Sequence, residues 1–263
     1  MNIFKINEQI KYYVNEIRRK TLFISIRDSS RAEMMALEIN KQLRIYKDFC
    51  KGKNVYIVGG GLTEAYYNPS DKEGVYIGIN RAFKNKKYKF DFLFAQDQFP
   101  EGMKEFFDYS GNNCKKMIGI TGYDYDVEIN ESEIHGDNVL RYVLESKHMQ
   151  RIPQNIIYKP FADLRGTVFS AIQFALYMYP SSIYLIGFDC SAGGDLFTNK
   201  KENYRYQLKG WTMIQRFISD YYKDIGIISI NPVGLKGMFS DVYTEQYLED
   251  KSMKAGRKNG SNE

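Results

Sequence analysis

The chain lacks the features that mark several common classes of protein. Its 263 residues hold three cysteines, two histidines, six prolines and a single tryptophan. Cys50, Cys114 and Cys190 lie far apart without Cys-x-x-Cys spacing, and any disulfide scheme leaves one over. That argues against a disulfide-stapled secreted fold and a structural zinc site, and points to a reducing compartment. No apolar run approaches the roughly 18 residues of a membrane span, and the start "MNIFKINEQIKYYVNE" is too polar for a signal peptide. The expectation is a cytoplasmic protein. Neither charge dominates: 37 Lys and Arg against 32 Asp and Glu leave a net charge of +5. Basic residues alternate with acidic ones, as in Asp71, Lys72 and Glu73, so no stripe suits a nucleic acid. The mild positive charge suits an anionic ligand, and segments such as "EIRRK" can meet anionic lipid at the inner face of a membrane.

What is present is length and hydrophobic content, 43% of residues, enough to bury a full core. Two regimes follow one another. Residues 1–53 show apolar positions at helical spacing without the punctuation of a βα repeat, and they read as an N-terminal helical extension. Met35, Leu37, Ile39, Leu43 and Tyr46 line a face that can pack on the main domain or on a second copy of the chain; packing is the reading adopted. From Val55 the pattern changes to short runs rich in Val, Ile, Tyr and Phe: "VYIVGGG", "VYIGINR", "DFLFAQDQ", "KMIGITG", "SIYLIGFD" and "IISINPVG". Six such runs separated by helix-length segments predict a doubly wound, mostly parallel α/β sheet of the Rossmann type over residues 54–250. "TVFSAIQFALYMYP" reads as a buried helix stopped by Pro180, and "YQLKGWTMIQRFISDYY" as an amphipathic one, with Trp211, Ile214, Phe217, Ile218 and Tyr221 on its core face. Residues 251–263, charged and glycine-containing, read as a disordered tail.

In an open parallel sheet the ligand lies beyond the carboxyl ends of the strands. That rule nominates Gly59, Gly60, Gly61 and Thr63 after the first run, Asn80 after the second and Asp97 after the third. Thr121 and Tyr123 follow the fourth, Gly187 and Asp189 the fifth, and Asn231 the last. Three successive glycines let backbone approach a phosphate, or else make a tight turn. The turn is not a Walker loop, and Glu64 stands where a G-x-G-x-x-G motif needs its third glycine. Asp97 and Asp189 are strand-end carboxylates fit for a divalent metal, a ribose hydroxyl or base catalysis, or for capping the next helix. Arg165, Gly166 and Thr167 open a helix whose N-terminus suits a phosphate or carboxylate. Cys190 reads as a buried small side chain, and His135 and His148 as surface residues.

The order of these pieces, through "GTVFSAIQFALYMYPSSIYLIGFD" and "ISINPVGLKGMF", resembles the bacterial sialyltransferases of glycosyltransferase family 42. It also resembles their 6-hydroxymethylpterin pyrophosphokinase-like relatives, over roughly residues 54–245. The resemblance implies that Gly59, Gly60, Gly61, Asn80, Gly166 and Thr167 hold a cytidine monophosphate sugar and that Arg165 stands near the acceptor. It implies a saccharide or lipid-linked acceptor at the inner membrane face, with no cofactor required. The sialyltransferases carry two tyrosines on the leaving phosphate and a histidine base. This chain has "DCSAGGDLF" and "ENYRYQLKGW" in those places and no histidine there. Asp97 is the substitute base, and Tyr204, Tyr206 and Lys209 are the phosphate contacts. The pyrophosphokinase-like relatives imply the alternative of a magnesium-dependent diphosphotransferase using Asp97 and Asp189, and the missing histidine leaves a third reading, a non-catalytic ligand-binding or assembly protein that keeps the fold without the base.

Overall fold

The computed structural model describes residues 30–69, 72–96, 103–120, 138–145, 151–191, 196 and 205–259. Eight parallel strands form one sheet in the order β5-β4-β3-β2-β1-β6-β7-β8. They are β1 (Asn54–Val58), β2 (Val75–Ile79), β3 (Phe92–Ala95), β4 (Lys115–Ile120), β5 (Val139–Val143), β6 (Ser182–Ile186), β7 (Gly226–Ile230) and β8 (Ser240–Val242). The fold is thus α/β and Rossmann-like, with the strand order reversing between β1 and β6. Strands covered on both faces read as unbroken apolar runs rather than alternating ones, and every residue of β2 and β3 is buried.

The six apolar runs correspond to β1–β4, β6 and β7. The sequence reading missed β5, whose "VLRYV" is interrupted by Arg141 on an edge strand, and β8, three residues long with only Asp241 part-buried. Both pair through the register of a neighbour, Ile118 with Arg141 and Ser229 with Asp241, which no local pattern announces.

The helices are α1 (helical over 30–39), α2 (Met103–Asp108), α3 (Thr167–Met178), α4 (Arg205–Tyr221) and α5 (Glu245–Asn259). α3 lies across β1, β2 and β3 and is buried on nearly every side, which is why it is apolar all round. It stops at Tyr179, left-handed at φ 57°, ahead of Pro180. α4 buries Trp211, Ile214, Phe217 and Ile218 and leaves Tyr221 exposed. Among the described residues no helix is long and apolar enough to cross a membrane.

After α1, the chain joins the main core, into which Leu43, Tyr46 and Cys50 are built, while Ala32, Met35 and Ala36 of α1 pack in a smaller cluster with Ile120 and Val143. Asn40 fixes them there: fully buried, it donates to the Ile156 carbonyl at 2.7 Å and accepts the Val143 N–H at 3.0 Å. Met35 is buried against Ile120 and Val143 rather than in the main core, and Leu37 is exposed. Residues 1–29 lie outside the described residues. At the other end, α5 continues past Asp250, through residues that the sequence reading leaves disordered. The opposite sheet face carries a row of tyrosines, because parallel register sets Tyr56 beside both Tyr76 and Tyr184. Their rings stack at 4.7 and 4.8 Å.

Candidate functional site

The triple glycine leaves β1 at the point where the sheet reverses order, and β6 closes on it. The Gly59 N–H donates to the Ile186 carbonyl and the Gly61 N–H to the Gly187 carbonyl, both at 2.8 Å. A Cβ on Gly61 would stand 2.6 Å from the Gly187 oxygen and 2.7 Å from Asp189 Oδ1, so these neighbours leave no room for a side chain. Gly61 itself sits at φ −65°; close approach, and not a left-handed backbone, requires the glycine. Gly187 is the one at positive φ, 69°.

Asp189 then crosses back to the turn. Its carboxylate accepts the Thr63 N–H at 3.2 Å and the Thr63 hydroxyl in a short bond, holding the 3₁₀ turn Leu62–Tyr66 that follows the glycines. Burial pushes the Asp189 carboxyl above its ordinary range, and the Thr63 donors oppose that shift. Beneath the turn, buried Glu64 meets Lys87 Nζ at 2.7 Å and accepts the Tyr88 hydroxyl at 2.5 Å. The Gly60 carbonyl accepts the Leu196 N–H at 2.7 Å. Among the described residues the Gly60 N–H meets no acceptor.

A second corner forms where β2 and β3 end against the first turn of α3. Asn80, at φ 51°, brings its side-chain oxygen to the Thr167 hydroxyl, which donates to it at 3.3 Å. Gln96, directly after β3, donates to Ser170 Oγ at 2.7 Å. Among the described residues no side chain caps α3: Gly166 stands at its N-cap. The segment ahead of it is clamped by Gln173, which accepts the Ala162 N–H at 2.9 Å and donates to the Ala162 carbonyl at 3.1 Å. Arg165 is exposed at φ 65°, with its N–H on Asp163 Oδ1 at 2.9 Å. α4 comes in beside it, since a Cβ on Gly210 would meet the Phe169 ring at 2.6 Å and the Leu164 carbonyl at 2.8 Å. Lys209, one residue earlier, is exposed.

The structure therefore sorts the sequence-nominated residues into two groups. Gly59, Gly60, Gly61, Thr63, Gly187 and Asp189 meet at the β1–β6 junction, and Asn80, Arg165, Gly166 and Thr167 gather at the α3 N-terminus. Asn231 belongs to neither: buried at φ 50°, it accepts the Thr244 N–H at 2.8 Å and fixes the start of α5. Cys190 stands at φ 44° beyond Asp189, its thiol pushed up to about 11 by burial, which disfavours the thiolate. Asp97, Thr121, Tyr123, His135, His148 and Tyr204 lie outside the described residues, as does the side chain of Tyr206, in the first turn of α4. Sequence reasoning passed over Gln96 for its neighbour Asp97, although a polar residue directly after "FLFA" is the signal. It also passed over Ser170, which reads as one more small residue in a buried helix.

An open, all-parallel sheet with polar corners at its carboxyl edge is a frame that binds ligands of many kinds. No family model matches this chain, and no curated protein matches it. Among solved structures it is similar to the MAf glycosyltransferase from Magnetospirillum magneticum AMB-1, at 12% identity and a TM-score of 0.49. That match covers 83% of this chain and 38% of the other, so the chain spans little more than a third of that protein. It is also similar to the sialyltransferase CstII from Campylobacter jejuni, solved with the substrate analogue CMP-3FNeuAc. There the identity is 14%, the TM-score 0.33, and the match covers 74% of this chain and 88% of the other. Both are likenesses of chain path alone.

Proposed function

We propose that this chain is a nucleotide-sugar-dependent glycosyltransferase, taking a cytidine monophosphate sugar and acting on a saccharide or lipid-linked acceptor in bacterial surface-polysaccharide or glycolipid synthesis. The observation that carries the reading is the meeting of Asn80 and Thr167 at the uncapped start of α3, on the carboxyl edge of a parallel sheet. These residues stand 87 positions apart, and the sialyltransferase resemblance assigns both to the nucleotide. A helix N-terminus that no described side chain caps favours an anion, and the Gly60 N–H, on the same edge of the sheet, meets no acceptor among the described residues.

In this mechanism the Asn80 amide and Thr167 hydroxyl orient the nucleotide, while the first turn of α3 and the Gly60 N–H take its phosphate. Thr63, Gly187 and Asp189 act from behind by fixing the shape of the glycine turn. Arg165 steers an anionic sugar or acceptor. Asp97 takes the proton of the attacking acceptor hydroxyl, a contribution of about 10²–10⁴ in rate for a well-placed base. The oxygen so freed bonds to the anomeric carbon as the nucleotide phosphate leaves, and Tyr204, Tyr206 and Lys209 meet that phosphate.

The test is a thermal-shift series with cytidine monophosphate, cytidine diphosphate, and ATP plus magnesium, because a ligand that binds the folded state raises its melting point. Cytidine nucleotides should stabilise the wild type without magnesium and leave Thr167→Val unmoved. Asp97→Asn should keep the nucleotide response and lose turnover by about 10²-fold or more. Stabilisation by ATP with magnesium alone, abolished by chelator, would replace the transferase with a diphosphotransferase.

A further inference from the structure

The helical run that leads into β1 has an outer face that the reading above leaves unused. α1 and the 3₁₀ turn Asn40–Tyr46 that continues it send Met35, Ala36, Asn40, Leu43 and Tyr46 inward. Met34, Leu37, Lys41 and Arg44 recur at the intervening steps of three and four residues and therefore point outward together. Four large apolar side chains stand in water here: Met34 at 72% exposure, Leu37 at 53%, Ile45 at 75% and Phe49 at 47%. Single exposed apolar residues are ordinary, but four within sixteen residues mark an interaction surface.

Charge sets the sign of the occupant. Residues 38–53 carry five basic side chains, Lys41, Arg44, Lys47, Lys51 and Lys53, against Glu38 and Asp48, whereas the whole chain is close to balance at 37 to 32. All five are exposed, and none belongs to an ion pair among the described residues. The Arg44 guanidinium lies over the exposed Tyr158 ring at 5.6 Å and Lys53 Nζ over the Phe49 ring at 5.3 Å, so cations and rings share one surface. Toward the start of α1, Glu33 is neutralised by Lys159 at 2.7 Å.

We propose that this face docks on an anionic lipid bilayer, with Met34, Leu37, Ile45 and Phe49 entering the acyl boundary and the five cations meeting lipid phosphates. The outer side of a helix is convex, and here its apolar side chains are separated by cations. A bilayer accepts such side chains one at a time, while the long lysine stems reach back to the headgroups. A second copy of the chain would set like charges against like, and a nucleic acid would leave four apolar side chains against its phosphates. α1 packs on Ile120 and Val143, the last residues of β4 and β5, so the face reaches the carboxyl edge that also carries the α3 corner. Its role rests on the transferase reading: it holds the enzyme at the surface where a lipid-linked acceptor lies.

The experiment mixes the full chain with phosphatidylcholine vesicles, with and without phosphatidylglycerol, and follows co-sedimentation, solution mass and melting. The response to cytidine monophosphate is read in parallel. Vesicles containing phosphatidylglycerol should bind the wild type at least about tenfold tighter than phosphatidylcholine alone, and added salt should weaken that binding. The paired changes Leu37→Gln with Ile45→Gln, and Lys41→Gln with Lys47→Gln, should each lower vesicle affinity about tenfold or more with melting and nucleotide response unaltered. Lys86→Gln, at an exposed lysine between Phe83 and Tyr88 on the other face of the sheet, should leave it unchanged. Equal binding to both kinds of vesicle, indifference to either pair, or an equal loss from Lys86→Gln overturns the docking face. Lower melting of the Leu37 and Ile45 variant shows that the chain covers these side chains itself, and overturns it as well. A dimer that the same variant dissociates, without vesicle binding, gives the face to a second copy instead. Vesicle binding with the expected dependences, in a chain that no nucleotide stabilises, keeps the face and sinks the transferase reading. A nucleotide response without vesicle binding does the reverse.

Discussion

The β1–β6 junction and the α3 corner use the same kinds of residue, glycines, a threonine and one short polar side chain, and end in opposite states. At the junction the polar groups satisfy one another: two of three glycine N–H groups join the strand ladder, and Asp189 is held by both donors of Thr63. At the corner Thr167 is buried as well, but the described residues show only its one long bond to Asn80 and no side chain capping the helix start. The difference teaches that a glycine-rich strand end can serve packing first. The rule that ligands sit beyond carboxyl ends finds the edge; only the hydrogen-bond inventory shows which part of it is open.

The harshest way to break the comparison is Gly61→Val. With backbone oxygen and the Asp189 carboxylate already inside contact distance of a Cβ, the substitution should cost about 3 kcal/mol or more, seen as a lower urea midpoint. A folded variant of nearly wild-type stability would mean that the junction is loose and its polar groups are available to a ligand.

Next in size is a contrast of carboxylates. Asp189 has Thr63; Glu145, just past β5, is 8% exposed, and burial raises it from 4.5 to about 7, with the Glu33 charge adding and Lys159 opposing. A carboxyl raised on folding keeps a proton that the unfolded chain releases. Its stabilising contribution is full below about pH 4.5 and disappears as pH climbs through 7. Glu145→Gln removes that dependence. Its stability relative to wild type should therefore rise by up to about 3 kcal/mol between pH 4.5 and 8. A pH-independent difference between the two proteins would show that Glu145 ionises as freely folded as unfolded.

Much of this frame is legible in the sequence because parallel strands buried on both faces leave dense apolar runs, and α3 and α4 carry unmistakable apolar faces. The strands missed are those whose place is set by a partner: "VLRYV" and "SDV" pair by register with β4 and β7. The site was legible as a set of strand ends and not as two corners. Nothing local tells Asp189 that Thr63, 126 residues away, will occupy its carboxylate, or tells Thr167 that Asn80 will face it. Ser170 was invisible for the same reason, its partner Gln96 lying 74 residues off.

Asp189→Asn sharpens the comparison at lower cost. The amide keeps one acceptor for Thr63 but gives up the charge, so about 1–2 kcal/mol of stability should go. Because the pair sits behind the turn, nucleotide affinity should fall only as far as the turn loosens. An affinity loss of tenfold at unchanged stability would move Asp189 from positioning to direct contact.

The smallest effect on folding belongs to the corner, and it is the most informative. Asn80 and Thr167 share one long bond of 3.3 Å, so Asn80→Ala, Thr167→Val and the double change should show a coupling of only about 0.5–1 kcal/mol in a denaturation cycle. Asn80 stands at φ 51°, and alanine there adds a backbone penalty of its own; Asn80→Gly, which removes the side chain without that penalty, separates the two. In ligand titrations the ranking should invert. The Asn80→Gly and Thr167→Val proteins should each lose about tenfold or more in cytidine-nucleotide affinity, while Gly210, Asn231 and the rest of the frame stay as they are. If the corner variants bind as well as wild type and only junction variants fail, then the open corner is a structural seam and the ligand lies on the glycine turn after all.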